Sequence, residues 1–191
     1  MKSEKAPGCE WPTKDPLLLK YHDEEWGVPL HDDKKLFEFL VLEGFQAGLS
    51  WLTILRKREN FRRAFDGFDF HKIAKYDAGK INALLANAGI IRNRLKIQGT
   101  IANANAFLKV RDEFGTFDKY IWGFVNHKPI DSHIKTLKQM PTKTDLSDEI
   151  SADLKKRGFK FVGSTIVYSH MQATGMVNDH LIGCDRHKDC R

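Results

Sequence analysis

Apolar positions recur at helical spacing along most of the chain. In "KKLFEFLVLEGF", Leu36, Leu40 and Glu43 fall at i, i+4 and i+7, so a carboxylate shares a stripe with leucines. The other faces of this helix are also largely apolar, which predicts a central position. Asp32 and Asp33 precede it and place acidic groups at the positive end of the helix dipole. "DAGKINALLANAGI" sets Ile81, Leu84, Leu85 and Ala88 on one face and stops at Gly89, and "RNRLKIQGTIANANAFLKV" resumes the period with Ile97, Ile101, Ala104 and Leu108. In "LSDEISADLKKRGF", Ser147 is the expected cap, Asp148 and Glu149 open the helix, Lys155, Lys156 and Arg157 close it, and Gly158 is the stop. "STIVYSHMQATGM" forms a further amphipathic segment. Strand alternation is scarce; "FKFVGS" is the nearest case, and it is short. The pattern predicts an all-α fold in one unit spanning 1–191, with irregular ends (1–30 and 178–191) rich in Cys and His. No internal repeat or low-complexity linker divides it.

The run "LVLEGFQAGLSWLTIL", residues 40–55, reads as protein interior. Glu43 sits inside it, although a carboxylate is among the residues least often buried unless paired or put to use.

Composition narrows the class. The chain has 191 residues, 41% hydrophobic and 29% charged, with a formal net charge of +6. That is an ordinary globular balance, long enough for a real core. No apolar run approaches the roughly 20 residues that span a bilayer, and "MKSEKAPGCEWP" has no apolar signal region. The expectation is a cytoplasmic protein with no membrane partner. The positive charge points to an anionic partner, most simply nucleic acid.

Three cysteines, Cys9, Cys184 and Cys190, make no even disulfide framework. Cys9 and His22 stand near one end; His180, Cys184, His187 and Cys190 stand near the other. His180 and Cys184 are four apart, which brings two ligands together on one helical turn or in a tight loop. Two thiolates and two imidazoles suit tetrahedral Zn²⁺, and four protein ligands leave no open position for catalysis. At this level scattered surface residues are the alternative, and His187 and Cys190 are alternative ligands on a stretch expected to fray.

Trp11, Tyr21 and Trp26 near the N-terminus and Trp51 in the central run add aromatic surface. With an embedded carboxylate, that is equipment for a flat, electron-poor ring; core packing is the alternative for each aromatic singly. The blocks "YHDEEWGVP" (21–29), "LEGFQAGLSW" (42–51), "AGIIRNRLKI" (88–97), "FVNHKP" (124–129), "LKKRGFKFVGSTI" (154–166) and "MVNDHLIGC" (176–184) follow in order. In this the chain strongly resembles the DNA-3-methyladenine glycosylase I family, bacterial base-excision repair enzymes of the helix-hairpin-helix superfamily, from Cys9 to Cys184.

The resemblance implies a compact helical domain of the helix-hairpin-helix glycosylase type, with the hairpin motif at about 78–108. A structural zinc site, a clasp of residues 9–22 and 180–184, would join the two ends. Cys9, His22, His180 and Cys184 match its zinc ligands, and no organic cofactor is expected. Glu43 matches the carboxylate that reads the damaged base and is the expected catalytic residue, with Trp51, Trp11 and Tyr21 as pocket aromatics. Gln46, Gly48 and Leu49 fall in the loop pressed into the DNA stack, and Gly89, Ile90, Ile91 and Arg92 match the hairpin that meets a phosphate. Trp26 is assigned to the core. The implied partners are double-stranded alkylated DNA and free 3-methyladenine as product, acted on by a monomer.

Two positions depart from the family pattern. Leu18 stands where a tyrosine is frequent, and Ile91 stands at the second glycine of the hairpin's G-h-G (h, apolar). Arg94 and Lys96 add positive charge beside the hairpin. Asp131 and Asp179 are weak candidates for a group that orients water. Two other classes remain open to the residues alone. A zinc-clasped DNA-damage-binding module would not need Glu43. A zinc nucleobase deaminase would need an open metal position and an H-x-E paired with a C-x-x-C, and the chain has no C-x-x-C.

Overall fold

The computed structural model describes residues 15–190. Helix α1 spans Pro16–Glu24 and opens on Asp15, whose side chain accepts the Leu17 N–H, with proline in the first turn. Helix α2, Asp33–Gln46, is capped by Asp32. Ser50 caps α3, Trp51–Ala64. Then follow α4 (Phe70–Ile73), α5 (Ala78–Ala86), α6 (Arg94–Phe114) and α7 (Phe117–Gly123). The last helices are α8 (Asp145–Lys156), α9 (Ser164–Ala173) and α10 (Arg186–Asp189). The expected helical architecture is present. Among the described residues the only strands are two-residue β1 (Ile130–Asp131) and β2 (Val177–Asn178), paired in parallel with Ile130 opposite Val177.

Helix α2 is the axis of the fold. Ten consecutive residues, Leu36 to Phe45, are buried, as a helix apolar on every face requires. It packs against α3, α6, α7 and α9. Phe37, Phe45, Phe61, Phe65, Phe68, Phe107 and Phe117 fill the main core around it. A second cluster, Leu18, Tyr21, Trp26, Phe39, Leu55 and Ala173, lies between α1, α2, α3 and α9.

Several local expectations are corrected. The N-terminal end is not irregular throughout, because the Asp15–Pro16 start signal opens α1. At the other end His187 is 1% exposed and Cys190 fully buried, so the tail is packed rather than frayed. Thr144, not Ser147, caps α8; Ser147 returns the bond to the Thr144 N–H in a reciprocal capping box. Helix α5 stops at Ala86, leaving Ala88 exposed. "FKFVGS" forms no strand, since Phe161 takes a left-handed φ of 57° as the chain turns into α9. Chain crossing near the ends leaves no room at Gly175. It has φ 72°, and a Cβ there would lie 2.5 Å from the Val28 carbonyl carbon and the Pro29 nitrogen.

Candidate functional site

Beside the second cluster is a cavity of about 250 Å³, lined by Tyr21, Trp26, Glu43, Gln46, Trp51, Met140, Ser169 and Gln172. Helix α1 supplies Tyr21, α2 Glu43 and Gln46, α3 Trp51, and α9 Ser169 and Gln172. The aromatic wall is continuous. Tyr21 meets Trp51 with ring centroids 5.4 Å apart, and Phe39 stacks behind Trp51 at 6.5 Å. The Arg58 guanidinium lies 5.0 Å over Phe39 and is held by Glu38 and Glu25. The structure thus brings Tyr21, Glu43 and Trp51 together as expected. Trp26, expected in the core alone, is buried and also borders the cavity. Leu18 packs into the second cluster without lining the cavity. Trp11 lies outside the described residues.

Glu43 is the chemical anomaly of this site. It is 4% exposed, and among the described residues it has no hydrogen bond or ion pair. Burial pushes its carboxyl up to about 8 from an ordinary 4.5. Burial raises the Tyr21 hydroxyl well above its usual value too, and the nearby Glu43 charge adds to this. The Trp51 indole N–H is buried without an acceptor at hydrogen-bond geometry. The cavity therefore offers aromatic faces and one unpaired carboxyl, which is a site for a flat, electron-poor group with a donor on its edge.

Met140, Ser169 and Gln172 were not foreseen. Ser169 and Gln172 are three apart on the amphipathic α9, a polar pair that helical spacing could have flagged; Met140 comes from a loop with no local signal. Neither weak aspartate candidate lines the cavity. Asp131 accepts from the His133 N–H and pairs with His187 Nε2, both at 3.0 Å. Asp179, 1% exposed, accepts the Tyr168 hydroxyl and Gln172 Nε2 on Oδ2, both at 2.7 Å.

At the cavity's rim the chain makes a closed turn. The Leu49 N–H donates to the Gln46 carbonyl at 2.7 Å, and Gln46 Nε2 donates to the Leu49 carbonyl at 2.8 Å. Gly48 takes φ 82°, and the Leu49 side chain stands 39% exposed. The hairpin between α5 and α6 is closed by bonds of its own. The Gly89 N–H is consumed by Asn87 Oδ1 and the Ile90 N–H by the Asn87 carbonyl, and Ile90 is buried. These two amides thus have partners inside the protein. Ile91 is half-buried against the core; Arg92 and Arg94 are exposed. Lys96 is buried and bonds two carbonyls of the protein instead of facing solvent. The α8–α9 hairpin shows an uncapped opening: Phe161 in the left-handed region, buried Val162, then Gly163 as a cap with no side chain over the α9 amides.

Behind Trp26 lies a buried His22, His180 and Cys184 cluster whose ligand atoms all fall within 4.8 Å of one another. Cys184 Sγ is 3.8 Å from His22 Nε2 and 3.6 Å from His180 Nδ1. Bonds of about 2.3 Å to sulfur and 2.05 Å to nitrogen at a tetrahedral angle give edges of about 3.6 Å, so the spacing fits a metal. The outer nitrogens are fixed as metal-ligating histidines require. His22 Nδ1 bonds Asp23 at 2.7 Å, and His180 Nε2 donates to the Trp26 carbonyl at 2.9 Å. Burial lowers both imidazoles, His180 to about 4, which keeps them neutral and able to ligate. Cys190 is a buried free thiol. Cys9 lies outside the described residues. No described helix is long and apolar enough to cross a membrane.

Residues 11–187 match the family model described as methyladenine glycosylase. The chain is 53% identical over 176 residues to DNA-3-methyladenine glycosylase 1 of Escherichia coli K12, covering 92% of this chain and 94% of that protein. It is 48% identical to DNA-3-methyladenine glycosylase of Haemophilus influenzae, covering 92% and 95%. Among solved structures, a Tyr-to-Phe variant of 3-methyladenine DNA glycosylase I in complex with 3-methyladenine superposes with a TM-score of 0.91. It is 40% identical, with 93% of this chain and 96% of that chain covered.

Proposed function

The chain belongs to the methyladenine glycosylase family, and from that premise we propose that it hydrolytically removes 3-methyladenine from alkylated double-stranded DNA, leaving an abasic site. The observation that carries this reading is Glu43, buried and unpaired in an aromatic cavity. A volume of about 250 Å³ lies just under the range of drug-sized sites, roughly 300–1,000 Å³, and suits one flat heterocycle.

A base inside a duplex is out of reach, so it must be extruded, at a few kcal/mol that a damaged pair partly forgoes. Methylation at N3 puts positive charge on the ring and weakens its bond to the sugar. On cleavage the bonding pair moves to the ring and neutralises it. The sugar carbon takes hydroxide from water, and the remaining proton goes to solvent. A leaving group so prepared needs selection more than an acid. Tyr21, Trp51 and Trp11 supply aromatic faces, each worth about 0.5–2 kcal/mol to a cation. The Glu43 carboxylate accepts from the exocyclic amine and favours the charged base over adenine. Holding the ground-state cation too well would bring no gain in the chemical step, and a weakly polar, largely apolar cavity limits that.

On the DNA side, Leu49 on the Gln46–Gly48–Leu49 turn fills the space the base vacates. Arg92, Arg94 and the amides opening α9 contact phosphates, which position the duplex without reading its sequence. His22, His180 and Cys184, with Cys9, hold a structural zinc; the sulfurs must be reduced thiolates to do so, and a reducing cytoplasm provides that. With four protein ligands the metal supplies folding energy and no chemistry. The enzyme works as a monomer. The test is incubation with methylated duplex and chromatography of the released bases. Free 3-methyladenine is expected; tight binding without release would overturn the enzymatic reading in favour of a damage-binding module.

A further inference from the structure

Lys96 belongs to the first turn of α6, where its own N–H is capped by Asn93. Its side chain turns inward past Val41, Gly44, Thr100 and Phe161. Nζ donates to the Phe45 and Ala47 carbonyls, each at 2.8 Å, at the C-terminal end of α2. Those carbonyls are the ones a helix leaves without intrahelical partners, at the negative end of its dipole. Burying a lysine costs side-chain entropy and hydration, and a glycine or asparagine could end the helix more simply. The location accounts for the choice. Ala47 is the first residue after α2 and the second of the Gln46–Leu49 turn. Among the described residues, Thr53 of the adjoining α3 bonds Ser50, and Lys96 is the only side chain distant in sequence that hydrogen-bonds residues 46–50. Helix α3, which leaves the same turn, is also tied to the hairpin below α6: Lys57 Nζ reaches the Ala88 and Gly89 carbonyls, and Asn60 reaches Gly89.

We propose that Lys96 is a positioning residue for base extrusion: by bridging Phe45 and Ala47 it locks the Leu49 turn to the helix that begins at Arg94, two residues after Arg92. The wedge and the phosphate contacts then form one rigid frame. Inserting a preordered leucine into the stack avoids an ordering cost at that moment. This rests on the reading that the 46–50 turn enters the duplex.

The test compares Lys96→Met, Lys96→Gln, Lys96→Arg and Leu49→Ala with the parent protein. Three readings are taken: affinity for a duplex with a tetrahydrofuran abasic analogue, fluorescence of a 2-aminopurine beside that analogue, and affinity for free 3-methyladenine. Lys96→Met should weaken duplex binding about tenfold, the size of a lost charged hydrogen bond, and blunt the 2-aminopurine signal. Free-base affinity should hold, and Lys96→Arg should recover part of the loss. If Lys96→Met does not fold, Lys96→Gln carries the same expectation. Should Leu49→Ala weaken the duplex while both neutral Lys96 variants leave it unchanged, the positioning role is overturned and the wedge stands. An unaffected Leu49→Ala would remove the wedge, and the proposal with it. Equal losses on duplex and free base would make Lys96 an ordinary structural residue.

Discussion

Glu38 and Glu43 lie five residues apart on the same buried helix, and among the described residues only Glu38 has a cation: Arg58 Nε at 2.6 Å, with Arg62 at 2.8 Å. Both carboxylates are nearly inaccessible. One is neutralised by the protein; the other is left for whatever enters the cavity.

That difference gives a pH signature. Glu43 keeps its proton to about pH 8 in the folded chain, against an ordinary 4.5. Between those values the folded state binds the extra proton, so stability falls as pH rises through the window and levels off above pH 8. The total is on the order of a few kcal/mol at 1.36 kcal/mol per unit. Glu43→Gln should flatten this slope in urea melts run from pH 5 to 9. A parent protein equally stable across that range would contradict the assignment.

The same variant should fold but read the base poorly. Loss of a charge-assisted hydrogen bond should cost about 1.5–3 kcal/mol in affinity for methylated substrate. The loss should be smaller for neutral adenine, narrowing the discrimination. In the parent, kcat/KM reports the free enzyme, so it should climb with pH toward about 8 as the carboxylate forms. The Glu43→Gln profile should lack that rise. Unchanged base release in folded Glu43→Gln would sink the role given to this residue.

The cluster behind Trp26 should hold one zinc per chain under reducing conditions, measurable by elemental analysis. Cys184→Ala should lose the metal and several kcal/mol, lowering Tm by on the order of 10 °C. Cys190→Ala should retain the zinc. Metal-free protein of full stability would refute the clasp, and metal loss from Cys190→Ala would show that the wrong thiol was assigned.

Arg58 carries the back of the aromatic wall. Arg58→Met should destabilise by about 3 kcal/mol, because it strips a partner from the buried Glu38. Replacing Glu38 with Met as well should recover much of that loss. A single variant as stable as the parent in denaturant titration would show that the pair is dispensable.

Gly175→Ala probes the chain crossing. Its Cβ would stand 2.5 Å from backbone atoms of Val28 and Pro29, at a φ of 72°. A cost of about 2–4 kcal/mol is expected from strain and overlap. A Tm within 2 °C of the parent would mean that the crossing yields easily.

Local pattern carried much of this molecule. Helices α2, α6, α8 and α9 were legible because apolar period, acidic starts and glycine stops act within a few residues. Glu43 was conspicuous because a lone carboxylate in an apolar run has few innocent explanations. What the sequence could not decide was pairing across distance. Lys96 and Arg92 read alike as basic residues beside a hairpin, yet one is buried on the Phe45 and Ala47 carbonyls and the other is exposed. Glu38 and Glu43 stand on the same apolar helix, and only packing brings Arg58 from α3 to one of them. The Gly89 and Ile90 amides looked available until Asn87 took them, and β1 found β2 across more than forty residues. Periodicity records which face of a segment avoids water. Which donor meets which acceptor is settled only when the elements pack, because each buried polar group takes the nearest partner the fold brings to it.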